Sequence, residues 1–174
     1  MQLFKVNQWR TAFCSLVALF SVWPQLGFSQ VSYPQRPVKV VVAFTAGGTT
    51  DILARLVAQQ LTEKLKQPFV IDNKPGAGGN LGTEMVVRSP ADGYTLIVNS
   101  VGPMAVNTTL YGKLPYNPMV DLVPIVQIAD VPNVLVVNPN VPAKTMEEFL
   151  VYAKANAGKL NYGSTGVGTS SHLS

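Results

Sequence analysis

Residues 38–44, Val-Lys-Val-Val-Val-Ala-Phe, are apolar at all but one position and rich in β-branched side chains. That pattern predicts a strand covered on both faces. Residues 45–50 break it with Gly47 and Gly48. Over residues 51–65 the apolar positions change period: Ile52, Leu53, Leu56, Val57, Leu61 and Leu65 fall on one side, and Arg55, Gln59, Glu63 and Lys64 on the other. This predicts an amphipathic helix that ends before Pro68. Residues 69–72 read as a second strand, 75–79 as a turn, 80–88 as a second helix and 94–98 as a third strand. The order β-α-β-α-β implies an α/β fold with a parallel sheet, because parallel neighbours need crossover connections.

The pattern weakens further along. Residues 104–111 suit a short helix after Gly102-Pro103, and residues 115–118 are irregular. Residues 123–129 and 133–137 read as strands separated by Pro132. Residues 146–155 read as a helix with Thr145 as N-cap and Glu147 and Glu148 at its positive end. A strand at 160–163 and a Gly/Ser/Thr-rich turn follow, and the chain stops where a helix should open. The expectation is the front half of a longer protein or a truncated product, the alternative being a natural end with a frayed tail.

The first thirty residues follow a different logic. Lys5 and Arg10 precede thirteen residues, 11–23, without a charge. A membrane-spanning helix needs about 20 apolar residues. Pro24 follows, and Gly27 and Ser29 stand at −3 and −1 for cleavage before Gln30. Residues 1–29 are therefore expected to be a secretory signal peptide, with an uncleaved anchor as the alternative. The only cysteine, Cys14, lies inside that run after Phe13, away from a lipidation site. Its removal leaves no thiol or disulfide chemistry.

Composition narrows the classes. With 47% apolar and 13% charged residues, the chain is globular in type. Fourteen glycines and thirteen prolines, without a repeat, indicate many turns. Of 13 basic side chains, two belong to the leader, and 9 acidic ones oppose the rest. With no basic run, nucleic acid is not an expected partner.

Candidate chemistry sits in three glycine-rich turns after strands. In the first, Thr45-Ala46-Gly47-Gly48-Thr49-Thr50-Asp51, bare backbone N–H groups and a helix N-terminus together suit a carboxylate or phosphate. No Lys is present for a Walker loop, Asp51 would repel a triphosphate and reads as helix capping, and a plain tight turn is the alternative. The second, with glycines at 76, 78, 79 and 82, is out of register for a dinucleotide fingerprint. Asn99-Ser100 ends the next strand without the acid a ribose needs, so close helix–sheet packing is the better reading. The third, Ser164-Thr165-Gly166-Val167-Gly168-Thr169-Ser170-Ser171-His172, adds five hydroxyls that suit carboxylate oxygens. A capped helix start is its alternative. Ser171-His172 has no orienting acid or nucleophile elbow in sequence, and a lone histidine excludes a multi-histidine metal site. No cofactor or metal is expected. Two anion-friendly turns in one exported α/β chain indicate a binder of small acids.

The motifs then become familiar as a set. They are Tyr33-Pro34-x-Arg36-Pro37-Val38, Ala43-Phe44-x-x-Gly47-Gly48-x-x-Asp51, Asn73-Lys74-Pro75-Gly76-Ala77-Gly78-Gly79-Asn80-x-Gly82 and Asp92-Gly93-Tyr94-Thr95-Leu96. Leu114-Pro115-Tyr116, Pro132-Asn133-x-Leu135-Val136-Val137-Asn138-Pro139 and Leu160-Asn161-Tyr162-Gly163-Ser164 continue it. In order and spacing the chain closely resembles the Bug (TctC-type) periplasmic receptors of tripartite tricarboxylate transporters. The resemblance implies a type 2-like periplasmic binding protein with two lobes that close on a small carboxylate without chemistry. It places one pincer loop at Thr45, Ala46, Gly47, Gly48, Thr49, Thr50 and Asp51. The other falls at Ser164, Thr165, Gly166, Gly168, Thr169 and Ser170, with Asn99 and Ser100 at the cleft floor. Residues 30–132 would form an incomplete lobe one, and 133–174 the crossing and the start of lobe two. The implied partners are a small carboxylate and membrane permease subunits, with a monomeric receptor in the periplasm.

Two departures stand out. The family's first loop is usually Phe-x-Pro-Gly-Gly, whereas Thr45-Ala46 stands here, so the loop is less pre-organised. Family members also run to roughly twice the mature length. A product this short is expected to be poorly stable and to transport little. A sensing receptor is the alternative to transport, and a small α/β hydrolase is the least favoured class.

Overall fold

The computed structural model describes residues 32–174, so the leader read over 1–29 lies outside the described residues. Three strands, β1 (Val38–Val42), β2 (Phe69–Asn73) and β3 (Thr95–Val98), form one parallel sheet in the order β2-β1-β3. Val42 of β1 faces Asn73 on one side and Val98 on the other. The central strand is the most apolar because its neighbours and helices cover it: Val38, Val41 and Val42 are fully buried. Phe69, Leu61, Ile71 and Leu96 pack around Val38 and Val40.

Helix α1 (Thr49–Leu65) packs on β1 and β2, and α2 (Asn80–Val87) packs on β3 and β1. The buried positions of α1 are Asp51, Ala54 and Ala58, while Ile52 and Leu56 are exposed. The apolar side read from the sequence is thus rotated. Alanines let the helix approach the sheet closely, and the bulky Ile52 and Leu56 fall outside that line of contact. In α2 the close approach is at Gly82, where a Cβ would stand 2.8 Å from the Lys74 carbonyl and 2.9 Å from Ala43 Cα. The packing role expected for the second glycine turn is therefore what the structure has.

The motifs at the other edge of the sheet are structural. Tyr33 donates its hydroxyl to the Gly93 carbonyl at 2.6 Å, and Arg36 pairs with Asp92 at 2.8 Å while lying over the Tyr94 ring. These contacts fasten the entry of β1 to the entry of β3, where the Lys39 N–H also reaches the Tyr94 carbonyl.

After β3 the chain makes a π-helical turn (Gly102–Val106) that runs into α3 (Asn107–Leu110), where one α-helix was expected. A short α4 (Pro118–Asp121) follows. Helix α5 (Met146–Ala155) matches its expected bounds and carries the full capping box of Thr145 and Glu148. Helix α6 (Ser170–Leu173) closes the described chain. The strands expected at 123–129, 133–137 and 160–163 do not form among the described residues. Their composition favours strands, but a strand exists only when a partner accepts its backbone groups. The sheet stops at β2 and β3, and Val123, Ile125, Val126, Val134 and Val136 are left exposed.

Candidate functional site

Because β1 leads to β2 on one side and β3 lies on the other, the strand order reverses between β1 and β3. In open α/β sheets that reversal opens a crevice beyond the carboxyl ends of the strands. The register sets the ends of β1 and β3 side by side, which places the 45–51 loop and Asn99-Ser100 at the same edge.

The first loop is built around Asp51. Gly48 is the N-cap of α1 and, lacking a side chain, makes no cap hydrogen bond. Asp51 lies in the first turn with its side chain buried. Its Oδ2 accepts from the Gly47 N–H at 2.8 Å and from Arg55 Nε at 2.9 Å, and its Oδ1 accepts from Asn73 Nδ2 at 2.9 Å. Asn73 Nδ2 also reaches the Phe44 carbonyl at 3.1 Å, so the strand end, loop and helix form one hydrogen-bonded unit. The Arg55 hydrogen bond, then the Gly47 N–H, then Asn73 lower the Asp51 pKa to about 2 against the opposing cost of burial. Asp51 is thus not the cap expected from the sequence, since Gly48 holds that position without a side-chain bond; it shapes the loop from inside the first turn with both oxygens engaged, and Arg55 offsets its charge. Among the described residues the N–H groups of Thr49 and Thr50 make no hydrogen bond, and both point out of the helix start. Gly47 is left-handed, at φ 82°, with nothing within 4 Å of where a Cβ would be.

The second turn differs in this respect. Three of its amides are bonded internally, Gly79 and Leu81 donating to the Gly76 carbonyl and Asn80 to the Ala77 carbonyl. Gly79 packs between Phe44 and Pro103.

The third loop supplies hydroxyls, but several satisfy one another. Thr165 Oγ1 lies 3.0 Å from Thr169 Oγ1 and 2.8 Å from Ser171 Oγ, and Thr169, buried, also donates to the Gly166 carbonyl. Ser164 Oγ accepts from the Gly166 N–H, and Ser170 Oγ donates to Asn133. The loop's neighbours are Gly78, Gly102 and Asn107. So the structure brings the third loop directly onto the second turn, while Phe44, the residue before the first loop, packs against Gly79 of that turn. Asn99 Nδ2 donates to Thr83 and Asn99 Oδ1 accepts from the Ser100 N–H, which ties that strand end to α2. Surface hollows run along Pro142, Glu147 and Tyr152, and along Arg55, Thr62 and Val70, and include neither loop. Among the described residues no cluster of three metal-ligating side chains occurs, and no helix is long and apolar enough to cross a membrane.

Sequence reasoning missed Arg55, Asn73 and Asn107. The i,i+4 spacing of Asp51 and Arg55 was the available signal for the first. Asn73 acquires its role only from the strand register, and nothing local marks Asn107.

A parallel α/β sheet with an open, glycine-capped helix start at its switch point is a doubly wound arrangement with a ligand crevice, as the expected periplasmic binding protein lobe requires. Comparison with known proteins agrees. Residues 53–174 match the Tripartite tricarboxylate transporter family receptor, TctC. The chain is 40% identical over 143 residues to Protein BugT of Bordetella pertussis, covering 82% of this chain and 44% of BugT. A solved periplasmic transporter structure superposes with a TM-score of 0.77 at 45% identity, over 81% of this chain and 47% of that one. MatC of Rhodopseudomonas palustris with bound malate gives 0.74 at 36% identity, over 79% and 47%. The chain belongs to the TctC (Bug) family of tripartite tricarboxylate transporter receptors. It spans about half the length of the relatives it matches.

Proposed function

We propose that the chain is part of a periplasmic solute-binding receptor that captures a small carboxylate and delivers it to the permease subunits of a tripartite transporter. The ligand class is a tricarboxylate, dicarboxylate, acidic amino acid or aromatic acid, held without chemistry. The observation that carries this reading is the bare helix start. Gly48 leaves the Thr49 and Thr50 N–H groups unclaimed at the positive end of a 17-residue helix, and Asp51 with Asn73 fixes the loop around them. The hydroxyls of Thr49 and Thr50 extend the donor set, and Asn99 and Ser100 line the same edge.

In this reading residues 30–132 form lobe one, and 133–174 carry the crossing and the start of lobe two, with residues 164–170 as the opposing loop. The uncovered apolar positions between Val123 and Val136 support assigning that stretch to a sheet that the described residues do not complete. Malate bound to MatC supports the carboxylate class. Export by a signal peptide over 1–29 completes the proposal.

The test is Gly48→Asp. Residue 48 has β-region backbone angles, φ −76° and ψ 167°, and a Cβ there meets only the Thr45 carbonyl at 3.4 Å. An aspartate fits as an N-cap, accepts from the Thr50 or Asp51 N–H and sets a negative charge where the ligand's charge belongs. Helix stability should hold or rise by a few tenths of a kcal/mol, while affinity for malate or citrate is lost. Retained affinity in the folded variant would overturn the reading.

A further inference from the structure

Asn107, the first residue of α3, is fully buried. Its Nδ2 donates to Asn80 Oδ1 at 2.7 Å and to the Gly78 carbonyl at 3.3 Å. The Tyr116 hydroxyl lies 2.8 Å from the same Asn80 oxygen and 3.0 Å from the Pro103 carbonyl, its one hydrogen shared between them. The Gly78 carbonyl sets which way the Asn107 amide points, since turning it over would put its oxygen against a backbone acceptor. The Oδ1 that remains has no hydrogen-bond partner among the described residues.

That oxygen faces the third loop. Gly168 is buried at φ 85°, and a side chain there would collide with Asn107 Oδ1 and approach Leu110 to 3.1 Å. Beside it, a side chain on Gly78 would meet the Val167 carbonyl, and Tyr111 donates its hydroxyl to that same carbonyl at 3.3 Å. Gly102 completes the contact, with its Cβ position 3.0 Å from the Gly168 carbonyl. Among the described residues the Val167 and Gly168 N–H groups make no hydrogen bond. A buried acceptor without a donor thus lies against a loop that has donors to spare, and such an acceptor is costly to leave unpaired.

We propose that Asn107 is the positioning residue that seats the loop of residues 164–170 on lobe one. Its Nδ2 anchors it to Asn80 and Gly78, and its Oδ1, without a partner among the described residues, lies against Gly168 as the acceptor that a backbone N–H of the loop meets when the loop seats fully. Asn107 does not touch the carboxylate; it sets where the loop stands. The inference rests on reading residues 164–170 as a ligand loop, and its test is chosen to give an answer without ligand.

The measurement is residue-resolved hydrogen exchange on the full 174-residue chain. The Thr169 and Leu173 amides, bonded to the Gly166 and Thr169 carbonyls, report the loop, and the Lys39 amide, bonded to the Tyr94 carbonyl, reports the sheet. Asn107→Leu keeps the volume and removes the polar atoms. It should speed exchange at Thr169 and Leu173 by about five- to thirtyfold, the range one or two kcal/mol produces, with Lys39 unchanged. Gly168→Ala, which blocks the seat from the loop side, should do the same.

Asn107→Asp adds a readout that simple filling of space would not move. Ionised, it offers only acceptors to Asn80 and Gly78, and protonated, it recovers one donor. Loop protection relative to intrinsic exchange should therefore be lost toward pH ~8 and return toward pH ~4, burial having raised the new carboxyl above its usual range. Tyr116, raised above its ordinary value by burial, stays neutral throughout. Tyr111 and His172 border the loop, and wild type run over the same range removes what they contribute. Wild-type protection in both Asn107→Leu and Gly168→Ala, or no pH dependence in Asn107→Asp, would overturn the inference. A parallel titration with malate judges the carboxylate reading separately: no binding by wild type counts against that reading and leaves the exchange result standing.

Discussion

The Gly47 N–H donates to Asp51 Oδ2 at 2.8 Å, so the carboxylate four residues ahead holds the left-handed glycine that opens the first loop. Asn73, at the end of the neighbouring strand, takes the other oxygen. The loop is thereby built from strand, helix and adjacent strand together, and its amides stay pointed outward.

Replacing Asp51 should release that loop. Asp51→Ala removes the acceptor for Gly47, Arg55 and Asn73 at once. It should lower the melting midpoint and weaken carboxylate binding together, whereas Gly48→Asp should weaken binding alone. Thermal melts with and without malate distinguish the two patterns.

The pH dependence follows from the same carboxylate. Its folded pKa, about 2, lies below the ordinary carboxylate value. A depressed folded pKa means the folded state is favoured by ionisation. The contribution is fully present above pH ~5, where the unfolded carboxyl is almost wholly ionised, and is lost as pH falls through about 2. Melting midpoints from pH 5 downward should therefore fall less steeply in Asp51→Asn than in wild type.

Close helix–sheet packing makes Gly82 sensitive. An alanine there would press on the Lys74 carbonyl and on Ala43, both backbone obstacles that cannot rotate away. Gly82→Ala should cost about 1–3 kcal/mol, the usual range for overpacking, read as a lower urea midpoint.

Thr145→Ala should behave differently. Thr145 Oγ1 accepts from the Glu148 N–H, and Glu148 reaches back to the Thr145 N–H. Losing the cap should cost α5 about 1 kcal/mol. Since α5 buries no residue, the loss should speed amide exchange within Met146–Ala155 and leave the sheet unchanged.

The parts of the fold that were legible in the sequence are those specified locally. Helix α5 was legible to its ends because Thr145 and Glu148 lie within one turn of its start. The run from β1 to β3 was legible because its apolar periods and glycine turns alternate cleanly. The strands read at 123–129, 133–137 and 160–163 failed because pairing is not local, and no strand among the described residues receives them. Periodicity puts Ile52 and Leu56 on the apolar face but does not show that Ala54 and Ala58 permit a closer one. At the site, the Gly48 helix start was legible from composition. The Asn73–Asp51 tie depends on β1 and β2 being neighbours, and Asn107 on a loop that folds back 61 residues later to Gly168.

The most direct test is a nuclear magnetic resonance titration of the full chain with malate and with citrate, following the backbone amides against a sodium chloride control. The account predicts saturable shifts at Gly47, Gly48, Thr49 and Thr50, with the acid recovered unchanged. Amides of the first loop that stay still while either acid saturates elsewhere, or that respond equally to chloride, would contradict it.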